Sequence, residues 1–141
     1  GRRTAPFIDD VIVPPATMPE FLPKMRKILD DYKLVYTIAG HAGNGNFHII
    51  PLMDMKDPAN MSIIDEVSDK VYDLVLSFKG SLTAEHNDGI IRTPYLAKMF
   101  GPEVMSLFEQ TKKAFDSSGI LNPGKKVGAT KEYMMKHLVR S

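Results

Sequence analysis

The sequence predicts an α+β fold: an antiparallel sheet with helices packed on one face, in a ferredoxin-like arrangement. Three observations predict it. Short β-favouring runs stand at residues 8–14, 34–39 and 47–52, each bounded by Pro, Gly or Asn. Two longer segments carry apolar residues at helical spacing. The resulting order is β-α-β-β-α-β and then helices, and hairpins with a helix between strands suggest an antiparallel sheet covered on one face.

Taken in order, Ile8-Asp9-Asp10-Val11-Ile12-Val13-Pro14 reads as a strand ended by Pro14-Pro15. Thr17 lies three residues before Glu20, the spacing of a capping box. Phe21, Leu22, Met25, Ile28 and Leu29 then continue a helix to about Tyr32, in which Pro23 predicts a kink or a later start. Residues 34–39 and 47–52 alternate as strands, and Gly40-His41-Ala42-Gly43-Asn44-Gly45-Asn46 between them favours a tight turn, so 34–52 is a hairpin. Asp57-Pro58 marks a loop before the stripe Ile64, Val67, Val71, Leu74, Val75 and Phe78, which Gly80 stops. Residues 81–84 form a short strand leading into Glu85-His86. Pro94 to Phe100 makes one or two helical turns, and Pro102 fits the first position of a helix whose buried face is Val104, Met105, Phe108, Thr111 and Phe115. Gly119 closes that helix, residues 120–124 are an extended exit, and 130–139 form a last helix with Tyr133, Met134 and Leu138 inward.

A chain of 141 residues suits one compact domain. Hydrophobic residues at 43% and charged residues at 25% exclude a disordered polyelectrolyte. The net charge of +1 argues against nucleic acid or a membrane surface as partner. No apolar run approaches the roughly 18 residues of a membrane span, and no signal peptide opens the chain. The absence of cysteine excludes disulfides, thiolate metal sites and Cys nucleophiles. Gly1 in place of Met reads as a processing or expression scar. A cytoplasmic location is expected, with peripheral membrane association as the alternative.

Three of the four histidines lie in two short segments bearing Gly and Asn. If residue 40 pairs with 49, then His41 pairs with His48 on one face, with Cβ atoms about 5 Å apart. That separation lets two imidazoles share an ion with Zn–N bonds of about 2.0–2.1 Å. Glu85, next to His86, would complete a His-His-Glu set with open positions for water or substrate. Histidine pairs at this spacing are more often surface or hydrogen-bonded groups, and adjacent Glu-His pairs are common. The glycine pattern does not match G-x-G-x-x-G and opens no helix, which rejects a nucleotide site. The methionines read as core filler, and Lys125-Lys126 and Arg2-Arg3 as solvated pairs.

The segment Gly40 to His48 closely resembles the G-H-x-G-D-G-N-x-H signature of the FAD-linked oxidase C-terminal domain, a family that includes glycolate oxidase subunits, D-lactate dehydrogenases and D-2-hydroxyglutarate dehydrogenases. Further matching stretches are Glu85-His86-Asn87-Asp88-Gly89-Ile90, Pro94-Tyr95, Phe100-Gly101-Pro102-Glu103, and Ala114-Phe115-Asp116 followed by Ile120-Leu121-Asn122-Pro123-Gly124-Lys125. The resemblance covers roughly residues 5–127. It implies a vanillyl-alcohol-oxidase-like enzyme whose FAD lies mainly on an N-terminal domain absent here. Residues 1–141 would then be the second half of the C-terminal cap, with an extra helix over 129–141.

By the same resemblance, His41, His48 and Glu85 bind a divalent metal, zinc in the 2-hydroxyglutarate members, and His86 is the catalytic base. Asn122 falls near the flavin, and Arg2 or Arg3 matches basic residues that bind substrate carboxylate. Two positions depart from the pattern. Asn44 replaces an Asp, removing a negative charge beside the metal. Ile50 stands where 2-hydroxyglutarate enzymes carry a substrate-touching Asn, which points away from that acid.

The expected function is therefore the substrate- and metal-binding part of an FAD-dependent D-2-hydroxyacid dehydrogenase of D-lactate or glycolate type, with its electron acceptor open and this segment inactive alone. The alternative is a stand-alone α+β module that binds a metal or metabolite without redox activity.

Overall fold

The glycine-rich turn forms the corner of the central hairpin. In the computed structural model, which describes residues 1–138, β3 (Val35–His41) and β4 (Asn46–Met53) pair antiparallel around a 3₁₀ turn at Ala42–Asn44. Gly45 closes the turn with φ at 76°. Ala39 lies opposite His48, and His41 opposite Asn46. The pairing of 41 with 48 expected from the sequence is thus off by two residues. Because strand side chains alternate with period two, a shift of two leaves each on its expected face. His41 and His48 share a face but are diagonal neighbours.

Close approach explains the register. A Cβ on Gly45 would lie 1.9 Å from the Val13 carbonyl oxygen, and one on Gly40 would lie 2.2 Å from that of Asn46. Glycine at these two positions lets the loop close in four residues, Ala42 to Gly45, between the last strand pair.

The other edge of β4 pairs with two short strands. β1 (Arg3–Thr4) meets Met53 and Leu52, and β2 (Val11–Ile12) meets Phe47 and Asn46. The strand expected over 8–14 is confined to 11–12, because Asp10 takes a left-handed φ of 68° and interrupts the extended backbone. The strand expected over 81–84 is a single antiparallel bridge between Ile12 and Ser81.

Helix α1 (Met18–Asp31) follows a 3₁₀ turn at Pro15–Thr17. The capping box does not form: the Thr17 hydroxyl donates to the Pro14 carbonyl at 2.8 Å, so it serves the preceding turn. The helix continues through Pro23, which is exposed, where water can take the carbonyl left without an amide partner. Helix α2 (Pro58–Ser77) is capped by Asp57, whose carboxylate accepts from the Ala59 amide at 3.0 Å. The two helices bury Phe21, Met25 and Leu29, and Ile64, Val67, Val71, Tyr72 and Val75. Phe47, Ile49 and Met53 supply the sheet's buried face. Phe21 stacks on Phe47 at 5.7 Å and meets Phe78 edge-on at 5.6 Å. Each such side chain contributes about 1.5–3 kcal/mol on burial. The opposite sheet face is open, with Val35 49% and Leu52 38% exposed. This is the expected antiparallel sheet with helices on one face.

Contacts divide the chain into two units, residues 1–86 with this sheet and residues 87–138. The second unit contains α3 (Gly89–Arg92), α4 (Leu96–Phe115) and α5 (Lys131–Lys136). Helix α4 breaks at Gly101, with φ 71° and ψ 170°, and Pro102 restarts it as expected. Its expected buried face is largely open: Thr111 is exposed, as are Phe108 at 37% and Phe115 at 85%. An apolar stripe marks a face to be covered but not what covers it, and the described residues leave this one uncovered. Lys126 is not solvated as expected but pairs with buried Asp88, and Lys125 reaches the Tyr133 hydroxyl at 3.3 Å. Met134 of α5 is buried and Tyr133 and Leu138 are half-buried, while residues 139–141 lie outside the described residues.

Candidate metal centre

The open face of the hairpin ends in a cluster of imidazoles. His41 closes β3, His48 lies near the start of β4, and Glu85-His86 follow the bridge at Ser81. One carboxylate oxygen joins them. Oε1 of Glu85 lies 2.9 Å from His48 Nε2, 3.3 Å from His41 Nε2 and 3.4 Å from His86 Nε2. The His41 and His48 ring centroids are 5.8 Å apart, and those of His48 and His86 5.1 Å. His48 is the most enclosed of the three, with its side chain 16% exposed against 63% and 58% for His41 and His86. A cleft of about 460 Å³ opens beside the cluster, lined by Ile12, His41, Asn44, Asn46, Ala84 and Glu85.

These distances suit a divalent ion. Two ligand atoms each about 2.1 Å from a tetrahedral ion lie roughly 3.4 Å apart, close to the His41 and His86 separations from Glu85. The donor set is also zinc-like in chemistry, imidazole nitrogen with carboxylate oxygen. The environment of His48 points the same way. Its Nδ1 lies 3.1 Å from Asp9 Oδ1 while its Nε2 faces Glu85. A neutral imidazole donates at one nitrogen only. If Nδ1–H serves Asp9, the Nε2 lone pair confronts a carboxylate, an arrangement that a cation between them would relieve.

Two aspartates that the sequence reading passed over as strand residues support the site. Asp9 partners His48. Asp10 is fully buried and accepts from the backbone amides of Ala84, Glu85 and His86 at 3.1, 3.1 and 2.8 Å. It also accepts from Asn46 Nδ2 at 3.0 Å. Burial pushes the Asp10 carboxyl up, and the hydrogen bonds from His86, Glu85, Ala84 and Asn46 outweigh it, holding the group below the usual aspartate value. Two adjacent acids in an otherwise apolar run were the available signal. A carboxylate in a β-favouring segment needs a buried partner.

The closest possible ligand cluster differs from the expected triad. Among the described residues, ligand atoms of Asp10, His48, Glu85 and His86 all lie within 4.8 Å of one another, a set that includes His86 and omits His41. The structure thus brings His41, His48, Glu85 and His86 together. Arg3 is exposed and lies opposite Met53, a register position on the face away from His48, and Arg2 is exposed ahead of that strand. Asn122, in the second unit, is exposed and left-handed at φ 49°. It follows a loop that Asp116 holds through the amides of Ile120 and Leu121 at 3.0 and 2.9 Å.

Comparison with known proteins places this chain in a family. The family model for the C-terminal domain of FAD linked oxidases matches residues 1–126. The chain is 37% identical over 123 residues to a D-2-hydroxyglutarate dehydrogenase of Pseudomonas putida, covering 87% of this chain and 12% of that protein. It is 33% identical over 119 residues to the mitochondrial D-lactate dehydrogenase [cytochrome] of Arabidopsis thaliana, covering 84% of this chain and 21% of that protein. To glycolate oxidase subunit GlcD of Escherichia coli it is 30% identical over 118 residues, covering 84% and 24%. The chain therefore spans between about one eighth and one quarter of the length of these relatives. With its glycine-cornered hairpin presenting His41 and His48 to Glu85, the chain belongs to the FAD linked oxidase C-terminal domain family.

Proposed function

We propose that this chain is the substrate- and metal-binding part of an FAD-dependent dehydrogenase that oxidises a small D-2-hydroxyacid, of lactate or glycolate type, to the 2-oxoacid. The observation that carries the reading is the convergence of three imidazole Nε2 atoms on one Glu85 oxygen at 2.9–3.4 Å. Family membership and the names of the relatives support the reaction class.

In this reading His41, His48 and Glu85 hold the ion. A bound divalent ion would supply Lewis-acid polarisation of the substrate's hydroxyl and carboxylate oxygens, and the flavin would accept the hydride. His86, at the exposed edge of the cluster, takes the hydroxyl proton. Removal of that proton and of the hydride from the α-carbon leaves the 2-oxoacid, so atoms and electrons balance. The flavin would be bound by a partner region outside this chain. The exposed apolar side chains Leu107, Phe115, Ile120 and Leu121 support contact with further protein surface.

The sheet favours a small or apolar substrate side chain. Ile50 and Leu52 follow His48 on its face of β4, and Ala39, Thr37 and Val35 lie opposite these three residues. None is cationic, so these positions offer no partner for a second carboxylate. Full-length protein carrying this chain would be assayed with glycolate, D-lactate and D-2-hydroxyglutarate and an artificial electron acceptor, expecting preference for the first two. His86→Asn should keep its metal while slowing flavin reduction by about 10²–10⁴, whereas Glu85→Gln should lose metal first. Flavin reduction at wild-type speed in His86→Asn would remove His86 from the proton path. Preference for D-2-hydroxyglutarate would overturn the substrate class.

A further inference from the structure

We propose that Asp9 and Asp10 act as an orienting pair for the metal centre: Asp9 sets the ring of His48, and Asp10 fixes the backbone that carries Glu85 and His86. The inference rests on the metal reading above and concerns residues for which that reading has no role.

Asp10 is fully buried, and four neutral N–H donors meet its carboxylate. Three of the four are successive amides of residues 84–86. The fourth is the side chain of Asn46, which faces His41 across the hairpin. One carboxylate thereby joins the turn end of the hairpin to the loop holding Glu85 and His86. Burying an ionised carboxylate is costly unless hydrogen bonds compensate. Here they fall on the two neighbouring residues that the site uses, so loop conformation and buried charge are satisfied together. The left-handed φ of 68° at Asp10 is tolerated by Asp, Asn and Gly and strained for other side chains.

Asp9 acts on the other ligand segment. Its Oδ1 lies 3.1 Å from His48 Nδ1, and Nε2 of the same ring is 2.9 Å from Glu85 Oε1. A carboxylate on the far nitrogen fixes both ring angle and tautomer, leaving Nε2 free to ligate. The proximity of Asp10 to His48, Glu85 and His86 would also allow it to be a ligand itself. Both of its oxygens, however, already accept from two N–H donors each. Ligation would strip the amides that set Glu85 and His86, so positioning is the role its contacts describe.

The test uses full-length protein, Zn²⁺ affinity by competition with a chelator, the Co²⁺ absorption spectrum, and ¹⁵N NMR of the His48 ring and of the Glu85 and His86 amides. Asp9→Ala should weaken Zn²⁺ binding about 10–100-fold and shift the His48 Nδ1 signal, with little change in melting temperature. Asp9→Asn, which keeps an acceptor oxygen, should recover most of the affinity. Asp10→Asn should weaken binding by a similar factor, alter the Co²⁺ spectrum and move the Glu85 and His86 amide signals. Loss of all binding in Asp10→Asn, with those amide signals unmoved, would make Asp10 a ligand and overturn its positioning role. Zn²⁺ affinity within threefold of wild type in Asp9→Ala would overturn the role of Asp9, even if Asp10→Asn fails to fold. A wild-type protein that binds no Zn²⁺ would sink the metal reading instead. In that case the orienting contacts stand if Asp9→Ala still shifts the His48 ring signal, and fall if it does not.

Discussion

Replacing Gly45 with Ala tests whether the turn sets the register of the histidines. Gly45 sits at φ 76°, and its carbonyl accepts from the Val13 amide at 3.0 Å. A left-handed residue with a side chain costs about 1–2 kcal/mol. The new Cβ would also stand 1.9 Å from the Val13 carbonyl oxygen, a backbone atom that must move. Moving it breaks the hydrogen bond to Val13, worth about 0.5–1.5 kcal/mol. The total is about 1.5–3.5 kcal/mol, which at about 4 °C per kcal/mol for a chain of this size lowers the melting temperature by roughly 6–14 °C. Gly43→Ala is the control, because a Cβ there meets nothing within 4 Å. Thermal unfolding by circular dichroism would be followed for both variants, together with Zn²⁺ affinity. A Gly45→Ala melting temperature within about 2 °C of that of Gly43→Ala, less than the shift from 1 kcal/mol, would refute the close-approach argument.

Other contacts give smaller and separate effects. Tyr72 is fully buried and donates to the Phe7 carbonyl at 2.9 Å, so Tyr72→Phe should cost about 0.5–1.5 kcal/mol in urea unfolding. Asp116 is held below the usual aspartate value by its hydrogen bond with Lys112 and by the Leu121 and Ile120 amides, against a smaller opposing effect of burial. Its contribution is therefore complete above the ordinary Asp pKa of about 3.9 and is lost as pH falls through the lower folded value. The Ile120 and Leu121 amide NMR signals should move in that acid window in wild type and stay fixed there in Asp116→Asn.

The parts of the fold legible in the sequence were those where period and turn chemistry agreed. Alternation over 34–39 and 47–52, with glycines between, identified the hairpin. Apolar spacing over 64–78 identified α2, and Pro102 marked the restart of α4 after Gly101. Long-range backbone contacts were not legible. The tight packing of Gly45 against Val13 moves the register by two residues, and no local pattern encodes that distance. Thr17 and Glu20 had the spacing of a capping box, but the Thr17 hydroxyl found the Pro14 carbonyl first. The stripe ending at Phe115 was identified as apolar, yet periodicity could not say that it would stand open.

The candidate site shows the same division between types of residue and their partners. His41, His48 and His86 could be picked out because imidazoles are scarce, four in the chain, and lie in segments bearing Gly and Asn, and Glu85 because it adjoins one of them. Their convergence survived a wrong register because the error was even: a shift of one residue would have put His41 and His48 on opposite faces, whereas a shift of two made them diagonal. Asp9 and Asp10 carried no comparable mark. In a run reading Ile-Asp-Asp-Val-Ile-Val, two adjacent acids would point to opposite faces of a strand, which signals that one is buried but not what it meets. Their roles exist through residues 36 to 76 positions away, His48 and Asn46 on one side and the 84–86 amides on the other. The backbone break at Asp10 that shortens the expected strand therefore also turns a buried carboxylate toward the loop carrying Glu85 and His86. At that residue the failed strand prediction and the organisation of the site have one physical cause.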